Sequence, residues 1–344
     1  MAKQHPASPE ARSAGATIYS VADHAGVSIA TVSRVLQGAT VVAEATRQKV
    51  LTAVEELGYV PTGAARSLAV RHHEAHGLVL PELSGPYYAE LLMGFEARAA
   101  ELAQSVVLVL TNSRTDMAAA VRQLATRVDA IAVFGSAAIP ADLVRLLRAK
   151  KPVVVIAGEP QDGIEAVAAE NLESARELAG HVLDHGRRRA LFVGDPDSGP
   201  DIRNRYDGYL AAHRDRGLDA AEPVLARLSE ADGTAFAQRL LAGEHEADAL
   251  MCANDELALS IMTTLQDAGR DVPGDIAIVG WDDVMTARYV RPGLTTVRQP
   301  VHELGALAAD RLHELVGGEP PRTYAQMLPT RLVVRTSCGC LPVT

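Results

Sequence analysis

Apolar residues recur along this chain in two different periods. Over residues 17–58 they come in short blocks at helical spacing: Ile18, Val21, Ala22 and Ala25, then Val32, Val35 and Leu36, then Val50, Leu51, Val54 and Leu57. Positions i, i+3, i+4 and i+7 share one helix face, so three short amphipathic helices are predicted, the third from about Ala43 to Leu57. Thr17 can cap the first, and Gly26 supplies the left-handed geometry that ends it. Ser28 can cap the second, its hydroxyl facing the Thr31 amide. The outward face of the second helix carries Ala30, Ser33, Arg34 and Gln37, with Ile29 beside them. Two short helices joined by a Gly-containing turn make a helix-turn-helix, whose second helix can enter the major groove of DNA. A plain three-helix bundle with a solvated polar face has the same periodicity.

From Gly77 onward, continuous apolar runs alternate with amphipathic stretches. The runs are residues 77–83, 105–113, 130–135, 152–158, 189–195, 249–255 and 276–283; helix-like patterns such as 87–103 and 170–186 lie between them. Runs rich in β-branched residues and separated by helices indicate βαβ units with a parallel sheet covered on both faces. Seven such runs are too many for one comfortable sheet, so two α/β lobes are predicted. The organisation read from the pattern is a disordered tail at 1–16, a helical headpiece at 17–60, a linker at 61–76 and an α/β core at 77–344.

Several runs end in polar residues: Asp195, then Asn254 and Asp255, then Asp282 and Asp283. Ligands of open parallel sheets bind outside the carboxyl ends of the strands, where carboxylates and amides can pair with ligand hydroxyls. Helix caps at strand-to-helix junctions explain any single one of these equally well, Asp255 and Asp283 above all.

The stretches TIYSVADHAGVSIATVSRVLQGA (17–39), TRQKVLTAVEELGYVP (46–61), ARSLA (65–69), CANDELAL (252–259), DVPGDIAIVGWDDV (271–284), LTTVRQP (294–300) and LVVR (332–335) closely resemble the LacI/GalR family of bacterial transcription regulators. The resemblance covers essentially everything after the tail. It implies an all-α helix-turn-helix headpiece, a hinge helix and a two-lobed α/β core like that of periplasmic sugar-binding proteins. By resemblance, residues 28–37 form the recognition helix, with Ile29 and Ala30 at the variable base-reading positions and Arg34 reaching a base edge. Arginine most often reads guanine, whereas Ile29 and Ala30 can only touch thymine methyls or exclude. Thr17, Ser28, Thr31 and Ser33 carry hydroxyls suited to phosphate contacts. Leu68 matches the leucine that the family wedges into the minor groove. Ala43 departs from the family's usual capping serine.

In the core, Arg205, Asn254 and Asp282 match effector-contacting positions. Tyr87 and Tyr88 follow the first core strand, where the family often places aromatic pocket residues, and Trp281, the single tryptophan, adjoins Asp282. Ala157 stands where many members have a ligand-binding aspartate, so Glu159 or Asp162 is a possible substitute. Bulky pocket residues that some members carry near Leu228 and Val301 are absent. The implied partners are double-stranded operator DNA with a pseudo-palindromic site, a second copy of the chain, and a small effector of carbohydrate type.

Charge modifies this picture. The 344 residues carry a net charge of −10, which by itself argues against binding nucleic acid. Residues 1–71, however, hold seven Lys and Arg against five Asp and Glu, leaving the acidic surplus to the remainder. A basic end on an acidic body fits local contact with a polyanion. No apolar run approaches the roughly 18 residues of a membrane span. The first sixteen residues have no apolar core of a secretory signal, and three cysteines in so long a chain fit a reducing compartment, so a cytoplasmic protein is expected. His72, His73 and His76 read as exposed linker. His181 and His185 lack the intervening Glu of a zinc-hydrolase motif, and Cys338 and Cys340 form a C-x-C tail with no nearby partner, so neither metal nor cofactor is expected. No phosphate loop, nucleophile elbow or dinucleotide fingerprint is present, and an enzyme is not expected. The reading is a DNA-binding regulator, a repressor, controlled by a sugar or sugar derivative. Its alternatives are control by a partner protein or a nucleobase-type corepressor, or a solute-binding module without DNA function.

Overall fold

The computed structural model describes residues 16–36, 41–59, 73–135, 137, 139–161 and 163–341. Leu68, Gln37, His72, Asp162, most of the linker and nearly all of the tail lie outside them. The chain divides into two compact units, residues 1–73 and 74–344.

In the first unit α1 (Ile18–Ala25), α2 (Ile29–Leu36) and α3 (Glu44–Glu56) enclose a small core of Val21, Ala22, Val32, Val35, Val50, Ala53 and Tyr59. Thr17 starts α1 through a reciprocal box: its hydroxyl accepts from the Ser20 amide at 3.2 Å, and the Ser20 hydroxyl accepts from the Thr17 amide at 2.8 Å. Gly26 ends α1 at φ 64°. The Ser28 hydroxyl accepts from the Thr31 amide at 3.2 Å, as its position predicts. Ala43 makes no side-chain cap for α3, which costs about 1 kcal/mol against serine. One core assignment is corrected: Leu51 is exposed, and Ala53 takes a buried position one turn after Val50.

The second unit contains β1 (Ala75–Leu80), α4 (Pro86–Glu101), β2 (Ser105–Leu110), α5 (Met117–Leu124), β3 (Ala130–Phe134), α6 (Ala141–Arg148), β4 (Val153–Ile156) and β5 (Glu165–Ala169). It continues with α7 (Leu172–Asp184), β6 (Ala190–Val193), α8 (Pro200–Asp215), α9 (Glu230–Leu241), β7 (Ala249–Cys252), α10 (Asp255–Asp267) and β8 (Ala277–Val279). Last come β9 (Thr296–Arg298), α11 (Val301–Val316), β10 (Gln326–Leu328) and β11 (Arg331–Val333). Six of the seven apolar runs contain one strand each, and the first overlaps β1, which begins two residues before it. The short strands β5, β9, β10 and β11 were not predicted, since β5 reads EAVAA and the others are three residues long.

The strands form two lobes. The first has a six-stranded parallel sheet in the order β10-β5-β4-β3-β1-β2, and the second a three-stranded parallel sheet β6-β7-β8 beside the antiparallel pair β9-β11. Each lobe has its own apolar core. The chain crosses between them: α11 and β10 return to the first lobe, and β11 belongs to the second. Helix α11 lies against α4 at backbone distance, for a Cβ on Gly94 would sit 1.9 Å from the His302 carbonyl oxygen and one on Gly305 2.2 Å from that of Leu91. Only glycine allows that approach. The linker ends earlier than predicted. His76 lies inside β1 and is fully buried, which corrects the reading of an exposed histidine cluster. Among the described residues no helix is long and apolar enough to cross a membrane.

Candidate functional site

Two surfaces gather the residues singled out in the sequence. The first is the start and outer face of α2. Ser28, Ile29, Ala30 and Arg34 are exposed there, and Thr31 and Ser33 are half-buried. Val32 and Val35 on the opposite side anchor the helix in the headpiece core, so its outer face is presented on a rigid support. Ile29 is a β-branched apolar residue 40% exposed at a helix start, where nothing in the fold of the unit requires it. The hydroxyls of Ser28 and Thr31 lie 2.9 Å apart, and Thr17 is engaged in its box. Tyr19 on α1, which the sequence reading passed over, is 70% exposed.

The second surface is a cavity of about 520 Å³ between the lobes, at the carboxyl ends of their strands. The first lobe contributes Glu82, Tyr87, Tyr88, Asn112 and Phe134; the second contributes Asp195, Asp201, Arg205, Leu228, Asn254, Glu256 and Asp282. Tyr87, Tyr88 and Phe134 pack edge to face with ring centroids 5.3 to 5.9 Å apart and form an aromatic wall. Tyr87 and Tyr88 sit in the first turn of α4, and Phe134 ends β3.

Asp282 follows β8 in a strained loop. Its φ is 121° and that of Asp283 is 58°, values that non-glycine residues adopt rarely. The strain is held by hydrogen bonds from side chain and backbone: the Asp283 carboxylate accepts from Arg335 and Arg298 at 2.5 Å each, and the Asp282 backbone amide donates to the Val297 carbonyl at 2.8 Å. Asp282 accepts from the Gln299 amide at 2.6 Å. Burial pushes the Asp282 carboxyl up to about 7, with Asp201 and Glu256 adding to the rise and Arg205 and Gln299 opposing it. Burial also raises the Tyr87 phenol well above its ordinary range, with help from Asp201 and Asp282, so it stays a donor. Glu256 is raised by burial and by Glu82 and Glu230.

Arg205 is buried, and its donors are largely spent inside the protein, on Asn171 Oδ1 at 2.8 Å and on the Ala253 carbonyl at 2.6 Å. Its guanidinium lies 4.7 Å from the centre of the Trp281 ring. That ring is completely buried and does not line the cavity, so Trp281 is a plate beneath Arg205 and not a wall. Cap assignments are also corrected. Asn254 caps α10, accepting from the Leu257 amide at 3.0 Å, and Asp195 accepts from the Asp197 amide at 2.9 Å. Asp255 is instead a fully buried carboxyl that accepts from Thr296 Oγ1 at 2.7 Å and the Val284 amide at 2.9 Å. Asp283 is the ion-pair partner described above.

Glu159 does not line the cavity among the described residues, so it does not fill the gap left at Ala157; Asp162 lies outside the described residues. The extra acids come from elsewhere: Glu82, Asp201 and Glu256. Asp201 was legible as the residue one helical turn before Arg205; Phe134 and Glu256 were legible only as neighbours of strand ends. A further correction concerns the C-terminal cysteines. Cys338 and Cys340 do have partners, since their sulfurs lie 3.3 and 3.2 Å from Nε2 of His181 and His185 respectively.

Comparison with known proteins finds relatives along nearly the whole chain. A family model described as bacterial regulatory proteins, lacI family, matches residues 17–62, and one for a periplasmic binding protein-like domain matches 179–338. The chain is 31% identical to catabolite control protein A of Priestia megaterium, over 93% of its own length and 98% of that protein. It is 32% identical to the HTH-type transcriptional regulator GalR of Escherichia coli (strain K12), over 94% and 95%. The Lac repressor dimer bound to operator and the anti-inducer ONPF has the same fold, with a TM-score of 0.82 at 27% identity, covering 94% of this chain and 99% of that one. The complex of the transcriptional regulator CelR with cellobiose reaches 0.71 at 28%, with the same coverage. These relatives are regulators and not enzymes. Helix-turn-helix headpiece, two-lobed parallel core and whole-length identity together place the chain in the LacI family of bacterial regulatory proteins.

Proposed function

We propose that this regulator is a repressor that binds a pseudo-palindromic operator as a two-fold dimer and is controlled by an uncharged, hydroxyl-rich small molecule of the carbohydrate class. A two-fold protein matches a two-fold site, and α2 carries the reading, with Arg34 to a guanine edge and Ile29 and Ala30 to thymine methyls; Ser28, Thr31 and Ser33, together with Thr17 at the start of α1, go to phosphates. Leu68 is assigned the minor-groove wedge by resemblance alone.

The observation that carries the effector class is the charge of the cavity. It is lined by five carboxylates, Glu82, Asp195, Asp201, Glu256 and Asp282, and by two guanidiniums that are already engaged. Arg205 is bonded within the protein, and Arg227 pairs with Asp232 at 3.0 Å. Such a lining repels phosphates and carboxylates and accepts hydroxyl protons, while the aromatic wall covers the apolar face of a sugar ring. A volume of about 520 Å³ suits a small molecule. The chain's similarity to CelR, solved with cellobiose, supports this class. The aromatic wall would also stack a purine, and the relative PurR of Photobacterium profundum, 31% identical, makes a nucleobase the second reading.

Control requires that the ligand prefer one arrangement of the lobes and that DNA favour the same one or the other. The test is a thermal-shift screen of neutral sugars, sugar phosphates and purines, followed by gel shifts on DNA selected for binding to the full chain, with scrambled DNA as control at one salt concentration. Neutral sugars should raise the melting temperature and change operator affinity. Asp282→Ala should abolish that response and leave DNA affinity unchanged. Binding of sugar phosphates or purines alone would overturn the carbohydrate assignment. A response intact in Asp282→Ala would remove the cavity as the control site and favour a partner protein.

A further inference from the structure

The geometry points to a structural binding site for a soft divalent cation of the zinc class, formed by His181, His185, Cys338 and Cys340. It lies in the second lobe, away from the cleft. His181 and His185 stand one helical turn apart at the end of α7, so their rings share a face. Gly339, at φ 106°, occupies the left-handed region and lets the Cys-Gly-Cys turn bring both sulfurs to that face. The four ligand atoms all lie within 4.8 Å of one another.

The separations fit a tetrahedral site. Zinc–sulfur and zinc–nitrogen bonds of about 2.3 and 2.0–2.1 Å at a tetrahedral angle put nitrogen about 3.6 Å from sulfur. Here His181 Nε2 is 3.3 Å from Cys338 Sγ and 3.5 Å from Cys340 Sγ, and His185 Nε2 is 3.2 Å from Cys340 Sγ. Closing around a cation therefore needs shifts of only a few tenths of an ångström at these pairs. A surrounding support is also present. Thr295 Oγ1 accepts from the Arg335 amide at 2.8 Å, which leaves its proton to be donated to Cys338 Sγ, 3.2 Å away. Hydrogen bonds to a ligand sulfur of this kind orient it and tune its basicity.

Four protein ligands leave no open position, so the site is a staple and not a catalytic centre. It joins α7 to the C-terminal segment. Ser337, next to Cys338, accepts from the Thr295 amide at 2.8 Å and donates to the Ile278 carbonyl at 2.5 Å, so the same segment is stitched to β8 and the start of β9. Cys338 is fully buried, whereas His185 is exposed and Cys340 half-buried, which gives the ion a route in from solvent.

The test uses tag-free full-length protein, reduced, stripped with chelator and then loaded with zinc or cobalt(II). One equivalent of metal should survive gel filtration. The cobalt form should show a thiolate-to-cobalt charge-transfer band and the intense visible bands of a tetrahedral site. Chelator should lower the melting temperature, and zinc should restore it. Cys340→Ser and His185→Gln change residues that reach solvent, so the fold should persist by circular dichroism while stoichiometric metal and the cobalt–thiolate band are lost. Metal retained equally by both variants would be adventitious and would overturn the site. So would wild-type protein that takes up no metal, or that shows a Cys338–Cys340 disulfide in its mass under the reducing conditions used.

Discussion

The two lobes of the core solve the same topological problem with different forces. The first lobe has six parallel strands, and its buried residues are almost all aliphatic; its main buried charge is the pair Glu165–Arg311, which docks α11 on β5 with Nε to Oε1 at 2.6 Å and Nη2 to Oε2 at 3.0 Å. The second lobe has three parallel strands and buries Asn254, Asp255, Asp283, Thr295, Thr296 and Ser337. A short sheet supplies a short hydrogen-bond ladder, so the loops beyond it are fixed by carboxylates accepting from nearby amides, hydroxyls and guanidiniums. Those bonds hold Asp282 and Asp283 at positive φ and direct Asp282 into the cavity. Strain at a ligand site persists when its surroundings over-determine it. Both lobes are thus held by apolar cores, and the second adds a polar rigidity local to the cleft.

The largest expected effect lies in the first lobe. Glu165→Ala takes from the buried Arg311 its two-point partner, leaving it only Glu314, and takes the acceptor from the Arg322 amide; it should cost about 3–5 kcal/mol by urea unfolding. Replacing both residues together by apolar ones of similar volume should recover most of it. Equal losses for the single and double variants would show that the lobe depends on the charge pair itself.

In the second lobe, Asp255→Ala leaves the Val284 amide and the Thr296 hydroxyl without an acceptor, for a loss of about 3 kcal/mol. Asp255→Asn keeps an acceptor and should lose much less. If the two variants unfold alike, the carboxyl is not what fixes the loop after β8.

A pH effect is next. Among the described residues His76 has no hydrogen-bond partner at either ring nitrogen, and burial, with the His313 charge adding and Asp129 opposing, lowers its pKa from 6.5 to about 4. The unfolded chain therefore takes up this proton first as pH falls. Stability present above about 6.5 is lost progressively down to about 4, by about 2 kcal/mol at roughly pH 5. His76→Leu should flatten this part of the pH–stability curve, and an unchanged slope would place its cause elsewhere.

The smallest effect concerns Asp282. Its carboxylate form accepts ligand hydroxyls best, so effector affinity should rise a few-fold as pH rises through about 7. Calorimetric titration below and above that pH would detect it, and Asp282→Asn should remove it.

Much of the architecture was legible because period reports burial. Runs such as AIAVF and ALMC are continuous and apolar, as strands covered on both faces must be. The capping hydroxyls of Thr17 and Ser28 were readable for a similar reason, since they act on amides three residues away. Leu51 and Ala53 are a different case: helical spacing allowed either residue inward, and the packed unit buries Ala53 and exposes Leu51. The strand β5 opens on a buried Glu165 whose partner, Arg311, comes 146 residues later.

By itself, then, the sequence determined the helix-turn-helix, its outward residues, the two-lobed parallel core and the aspartates at its strand ends, because these depend on local spacing and on what one stretch of chain must bury. Only the tertiary structure decided that Trp281 supports Arg205 from beneath, that Asn254 and not Asp255 caps α10, that the cavity is acidic with its guanidiniums engaged, and that His181 and His185 meet Cys338 and Cys340. Each of these is a meeting of residues far apart in the chain, and residue order carries no record of distance across a fold.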